Sequence, residues 1–408
     1  MRRGEGARHD VVVTGLGPVS SIGVGRKQFE DSLFAGRVGT SRITSFDTTG
    51  FKTHQGGEVQ DFAPHELCQV VNLAHYGRSA QFAAAAARLA VEDAELSASD
   101  LGSARVAVCM GTTSGESQEM ELITEQFTVS AGATMPATAA AKLPAENLAR
   151  AALEEVCSGQ GEHITFSTAC SASNYSIAYG GLLISSGAAD VVVVGGADSM
   201  CRWAHAGFYR LGAMSPDVCS PFDADRRGIL TAEGGVALVM ESESHARARG
   251  KAVLGRLLGA GINCDADHMV APNRDSVAAC IRLAHDRAGI GAADVDYISA
   301  HGTGTAANDS TEAGAIVDVF GNQAPPVSSI KSMLGHTMGA ASGFGAVACV
   351  LAIERQECPP TANYRTADPE ILLPDVVPNI SRAQQVRVAE NHGFAFGGNN
   401  AIVILGAA

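Results

Sequence analysis

A strand-like run, a polar turn and a helix of small residues follow one another twice, at 163–187 and at 326–356. The first copy reads "HITFSTAC" then "SASNYSIAYGGLLISSG". The second reads "PVSSIKSMLGH" then "TMGAASGFGAVACVLAIERQ". A chain of 408 residues is too long for one ordinary core and calls for about two units of ~200 residues. The repeat supplies the division, an internal duplication into residues 1–250 and 251–408. The halves meet at the polar stretch "SHARARGK" (244–251).

The other elements fit the same plan. "DVVVTGLG" (10–17), "ARVAVCMGT" (104–112), "DVVVVGGAD" (190–198) and "GGVALVMES" (234–242) are continuous apolar runs, and "DVDYISAHGTGT" (294–305) is a strand entering a Gly-rich loop. "SAQFAAAAARLAVEDAEL" (79–96) and "STEAGAIVDVF" (310–320) read as helices. The tail "NHGFAFGGNNAIVILGA" (391–407) is a Gly-rich turn and a final strand. Strands of this kind alternating with helices predict an α/β fold with parallel-type sheets buried on both faces.

Composition narrows the function classes. Apolar residues make up 46% and charged residues 18%, the profile of a folded globular chain. A net charge of −14 argues against nonspecific nucleic-acid binding and against an anionic membrane surface. "MRRGEGARHDVVVTG" has no apolar signal-peptide core, and the apolar run 343–353 is too short to span a bilayer. No nucleic-acid or membrane partner is therefore expected. None of the ten cysteines (68, 109, 157, 170, 201, 219, 264, 280, 349, 358) forms a C-x-x-C pair. That disfavours a zinc ribbon or a dithiol couple, predicts no bound metal, and fits a reducing cytoplasmic compartment.

Three strand-end loops carry reactive side chains. Cys170 stands between an apolar run and a small-residue helix, His301 heads "HGTGT", and Lys331 and His336 flank a turn in "IKSMLGHTMGAAS". Each alone has a bland explanation: a small core thiol, a loop imidazole, a solvated charge, a helix cap. In a parallel sheet such loops gather on one edge, which makes a Cys-His-His cluster. A helix N-terminus favours the thiolate, and small neighbours admit a substrate. A thiol can carry an acyl group as a thioester, and neutral imidazole N–H groups can donate to an enolate oxygen. That set suits decarboxylation followed by carbon–carbon condensation. A cysteine hydrolase would leave the second histidine and the lysine surplus, and zinc ligation would lack a close-spaced ligand pair.

With those residues, the motifs "STACSAS", "AHGTGTAANDSTEA", "SSIKSMLGH", "GFAFGGNN", "VVVTGLGPVSSIG", "VVVVGGAD" and "SPFDADRRGILTAEGG" resemble the β-ketoacyl-acyl-carrier-protein synthases, nearly end to end over about 10–406. The resemblance implies the thiolase fold: two duplicated α/β halves in a five-layer α-β-α-β-α sandwich, usually dimeric. It implies Cys170 as the nucleophile, with acyl chains arriving on the phosphopantetheine of an acyl carrier protein and no cofactor bound by the chain itself. It implies that His301 and His336 support malonyl decarboxylation, and that Lys331 acts electrostatically and pairs with Glu312. The N–H groups of Cys170 and Phe396 would form the oxyanion hole. Phe396 would be the gate, and Asp265 in "CDADHM" (264–269) would face it.

Departures from the family pattern refine the reading. Elongation synthases of fatty-acid synthesis usually read F-G-F-G-G-T-N at the gate, whereas Ala395 and Asn399 stand here. This variant resembles the ketosynthases of polyene-forming type II polyketide systems, which pair with a homologous chain-length factor lacking the cysteine. Because Cys170 is kept, the chain reads as the catalytic partner. Ser114 and Glu116 in "GTTSGESQ" (111–118) predict a more polar acyl pocket, shaped or completed by another subunit. Docking of an acidic carrier falls to Arg210, Arg202 and Arg78. The alternatives are a homodimeric fatty-acid elongation synthase and a non-catalytic pocket-shaping subunit. Degradative thiolase chemistry would call for a second cysteine near "NHGFAFGGNN", which holds none.

Overall fold

The computed structural model describes residues 9–130, 134–371, 373 and 375–408. The main path of the large sheet takes five strands from the first half: β1 (Val11–Ser20), β2 (Val106–Gly111), β3 (Glu162–Phe166), β4 (Val191–Asp198) and β5 (Gly234–Ser242). Five come from the second: β6 (Gly255–Cys264), β7 (Tyr297–Ser299), β8 (Val327–Ser328), β9 (Val388–Gly393) and β10 (Asn399–Gly406). The principal helices are α1 (Arg78–Asp93), α2 (Ser117–Val129), α3 (Asn147–Cys157), α4 (Ala172–Ser185), α5 (Arg202–Arg210), α6 (Arg274–Ala288), α7 (Ala306–Phe320) and α8 (Ala341–Arg355).

The first half is ordered β3-β2-β4-β5-β1, and the second β8-β7-β9-β10-β6. Strand directions match as well. β1–β5, β4–β5, β6–β10 and β9–β10 are antiparallel, while β2–β3, β2–β4, β7–β8 and β7–β9 are parallel. A short antiparallel contact, Val12 with Arg256 and Val13 with Gly255, joins the halves. The sheets are thus mixed rather than parallel. Apolar runs report burial on both faces, and antiparallel strands sandwiched between helix layers show the same pattern.

Helices α1 and α3 cover the outer face of the first half, and α6 and α7 that of the second. Helices α4 and α8 lie between the two sheets, completing the α-β-α-β-α sandwich of the thiolase fold. Their small residues are explained by that place. A Cβ on Gly180 would come 2.4 Å from Val194 Cγ1, and one on Gly343 2.5 Å from Val236 Cγ1. Residues Ala341–Ile353 of α8 are buried throughout. The helical stretch Met338–Arg355 is long and apolar enough to cross a membrane, but 89% of it is buried inside the protein.

Some sequence expectations shift. β3 ends at Phe166, four positions before the nucleophile, and it is an edge strand with Glu162, His163 and Ile164 exposed. Elements β6, α2, α3 and α6 were not anticipated. Helix α2 buries only Ser117 and Ile123, so its sequence carries little apolar signal.

Candidate active site

Cys170 is the middle residue of a single 3-10 turn, Ala169–Ser171, that runs directly into α4. Ala169 adopts φ +52°, a left-handed conformation that costs a non-glycine residue energy and persists where surroundings impose it. The second half supplies the constraint. Ser173 Oγ donates to the Gly339 carbonyl at 2.6 Å, and Asn174 Nδ2 donates to the carbonyls of Ala401 and Asn391 at 2.9 and 3.2 Å. Asp198, at the end of β4, accepts from Thr112 Oγ1, Thr113 N, Ser114 N and Gly339 N at 2.7, 2.8, 3.2 and 2.7 Å. This buried carboxylate ties the loop after β2 to the turn before α8.

His301 follows β7, and His336 lies on the loop before α8. Their rings stand 5.7 Å apart, nearly perpendicular. His336 is anchored on both sides of its peptide: its N–H donates to Leu230 O at 2.7 Å, and its carbonyl accepts from Ala232 N at 3.0 Å. Its Nδ1 accepts the Met338 N–H at 3.0 Å, so the neutral ring carries its proton on Nε2. The Lys331 ammonium lies 3.4 Å from His301 Nδ1 and assigns His301 the same tautomer. Burial, reinforced by Lys331, holds both imidazoles well below their ordinary value, so they are neutral donors.

Cys170, His301 and His336 line one cavity of about 320 Å³ with Phe208, Met269 and Phe396. Phe396 is part-exposed and stacks on Phe208 with centroids 5.7 Å apart. The N–H groups of Cys170 and Phe396 donate to no acceptor among the described residues. The turn at 394–400 is tied to the 264–272 loop by Gly397 N to Met269 O at 2.7 Å and Asp265 N to Gly398 O at 2.9 Å. The Asp265 carboxylate accepts from Asn400 Nδ2 at 2.7 Å and Asn273 N at 3.0 Å. Gly398 is required there: its φ is +76°, and a Cβ would meet Asp265 Cβ at 2.6 Å.

Several residues stand otherwise than expected. Burial pushes the Cys170 thiol up to about 12, with Lys331 the main opposing influence. At 5% exposure, the loss of water outweighs the helix end, and the resting Cys170 side chain is a thiol rather than a thiolate. Lys331 makes no direct pair with Glu312. Its ammonium donates to the His301 carbonyl at 2.5 Å, while Glu312 accepts the His301 and Gly302 N–H groups at 2.7 Å each. Glu116 does not line the cavity. It is buried and caps the start of α1, accepting from Ala80 N at 2.8 Å and Ser79 N at 3.1 Å. Ser114 likewise lies outside the cavity wall. Arg78 is no free docking charge: it chelates the buried Glu233 at 2.6 and 2.9 Å and covers the Phe62 and Phe82 rings. Arg202 and Arg210 remain exposed at the two ends of α5, beside exposed Trp203 and Leu211, and make no ion pair among the described residues.

Sequence reasoning passed over a buried chain behind His301. His392 Nδ1 lies 2.9 Å from Glu312, its Nε2 2.5 Å from Glu390, and His285 Nε2 2.6 Å from the other oxygen of Glu390. The signal was present as "ENH" inside an otherwise buried strand.

A five-layer chain that gathers one thiol and two neutral imidazoles in one cavity has the architecture of an acyl-transferring condensing enzyme. The sequence matches the β-ketoacyl synthase N-terminal domain over residues 8–246 and the β-ketoacyl synthase C-terminal domain over 254–365. The chain belongs to the β-ketoacyl synthase family. It is 35% identical to nodulation protein E of Rhizobium meliloti over 96% of this chain and 98% of that one. It is 37% identical to a putative polyketide β-ketoacyl synthase 1 of Streptomyces halstedii, covering 97% of both. Among solved structures, the ishigamide ketosynthase/chain length factor matches with a TM-score of 0.96 and 48% identity over 98% of this chain and 100% of that one. A type II polyketide ketosynthase in complex with its acyl-carrier protein, AntDE:AntF, matches with a TM-score of 0.90 and 30% identity over 98% and 100%.

Proposed function

We propose that this protein is the ketosynthase subunit of a type II polyketide system of the polyene-forming kind, working with a homologous chain-length factor and an acyl carrier protein. The carrying observation is the Cys170–His301–His336 cavity in a chain 48% identical to a ketosynthase/chain length factor structure. A pocket-shaping subunit has no use for that set.

The Cys170 sulfur attacks the thioester carbonyl of the carrier-bound chain, and the free N–H groups of Cys170 and Phe396 receive the oxyanion. The phosphopantetheine sulfur leaves with the thiol proton, and the chain stays on Cys170. Malonyl-carrier protein then enters. The Nε2–H groups of His301 and His336 donate to its thioester oxygen as the C–C bond to the carboxylate breaks, releasing CO2 and an enolate. The enolate carbon attacks the Cys170 thioester, and collapse of the adduct expels the Cys170 thiolate, which is reprotonated. The product is a β-ketoacyl chain, two carbons longer, on the carrier. Phosphopantetheine is substrate here, and no resident cofactor is needed. Arg202 and Arg210 meet the acidic carrier at the mouth beside Phe208. All ten cysteines are free, which fits a cytoplasmic setting.

The test is intact-protein mass after incubation with a carrier protein bearing a short unsaturated acyl chain, with and without a co-expressed homologous subunit. An adduct on Cys170 only with that subunit supports the polyketide pair. An adduct formed equally well by the chain alone would favour the homodimeric elongation synthase.

A further inference from the structure

Glu312 poses an electrostatic problem. It is buried and holds the His301 loop through the His301 and Gly302 N–H groups. The nearest catalytic cation, Lys331, turns instead to the His301 carbonyl and Nδ1. A buried carboxylate without a cation is strongly disfavoured. His392 stands on its remaining side, fully buried, with Glu390 on its second nitrogen and His285 behind.

We infer that His392 is a positioning residue for malonyl decarboxylation: as an imidazolium it neutralises Glu312, so the carboxylate fixes the His301 loop while Lys331 stays on His301. This rests on the condensing-enzyme reading above. Burial opposes the charge on His392, but the hydrogen bonds to Glu312 and Glu390 outweigh it and raise the imidazole to about 9. The groups facing this cluster are Glu312 from α7, Glu390 from β9, His285 and Cys280 from α6, Cys349 from α8, His301 and Lys331. Of these, Lys331 is lowered by its burial, against the opposing pull of Glu312, Cys170, Cys219 and Asp309. Glu390 bonds His392 directly and makes no ion pair with the lysine.

Loss of His392 leaves Glu312 without its counter-charge and draws Lys331 away from His301. The two half-reactions should then separate, because Cys170 acylation does not use the His301 donor. In His392→Asn, malonyl-carrier decarboxylation should fall roughly tenfold or more, while acylation of Cys170, read by intact mass, should fall by less than about threefold. Equal losses in both half-reactions, or no loss in either, would overturn the inference. A wild-type protein that does neither half-reaction would instead sink the condensing-enzyme reading.

If His392→Asn does not fold, the isosteric Glu390→Gln gives a second route. It removes one of the two anions that hold the imidazolium. The alkaline fall in decarboxylation should move down by about one pH unit with acylation unchanged. An unmoved profile would count against the role of His392.

Discussion

Cys170 and Gly339 hold equivalent places in the two halves of the chain. Each is the middle residue of a one-turn 3-10 segment whose first residue has positive φ, +52° at Ala169 and +54° at Met338, and each segment runs into a central-layer helix. The halves are not interchangeable there. A Cβ on Gly339 would meet Thr112 Cα at 2.5 Å, so the second turn is filled by backbone where the first opens to the cavity. One half contributes Cys170 to the cavity, and the other contributes His301 and His336.

That division predicts separable half-reactions. Cys170→Ala should abolish acyl-enzyme formation and condensation while CO2 release from malonyl-carrier protein persists, because both histidines are untouched. Radiolabelled malonyl-carrier protein measures the release. A variant that still extends chains at the normal rate would be incompatible with the assignment.

Removing one imidazole should do the reverse. His336→Ala deletes an Nε2–H donor fixed by the Met338 N–H, and decarboxylation should drop about 10²-fold or more. Acylation of Cys170 should fall far less. Single-turnover mass spectrometry of both steps distinguishes the two.

The buried thiol sets a pH dependence. Burial raises Cys170 to about 12, so the thiolate fraction climbs about tenfold per pH unit throughout the neutral and mildly alkaline range. Iodoacetamide alkylation of Cys170 should rise accordingly from pH 7 to 9 without levelling off. A plateau near pH 8 would show that Lys331 and the helix end hold a standing thiolate.

The arginines separate into two groups. Arg78→Ala strands the buried Glu233 carboxylate, which also accepts from Val59 N and Met200 N. With Arg78 partly solvated, the loss should be about 2–3 kcal/mol, read as a lower Tm. Arg202→Glu with Arg210→Glu should leave Tm unchanged. It should raise KM for the carrier protein, most at low salt, because exposed charges steer association and are screened by ions.

The cluster of Cys170, His301, Lys331 and His336 was legible because each member sits in a compact local motif, as "STACSAS", "AHGTGT" and "SSIKSMLGH" show. The duplicated α/β plan was equally visible in its apolar runs, though strand direction was not, since burial on both faces looks alike either way. The residues read otherwise, or not read at all, share a different trait: their partners are far away in sequence. Glu116 caps a helix 36 positions earlier, Arg78 meets Glu233 155 positions later, and His392 reaches back 80 positions to Glu312. No local pattern carries such pairings.

The clamp on the cysteine turn has a consequence for the chain's synthesis. Asn174, four residues past Cys170, is held by the carbonyls of Asn391 and Ala401, and the Phe396 turn and its Asn400 anchor come equally late. On the ribosome, a nascent chain can already display Cys170 and both histidines and yet lack the wall that shapes their cavity. Acyl groups should therefore not be loaded during translation, and competence should arrive in one step once the last strand docks.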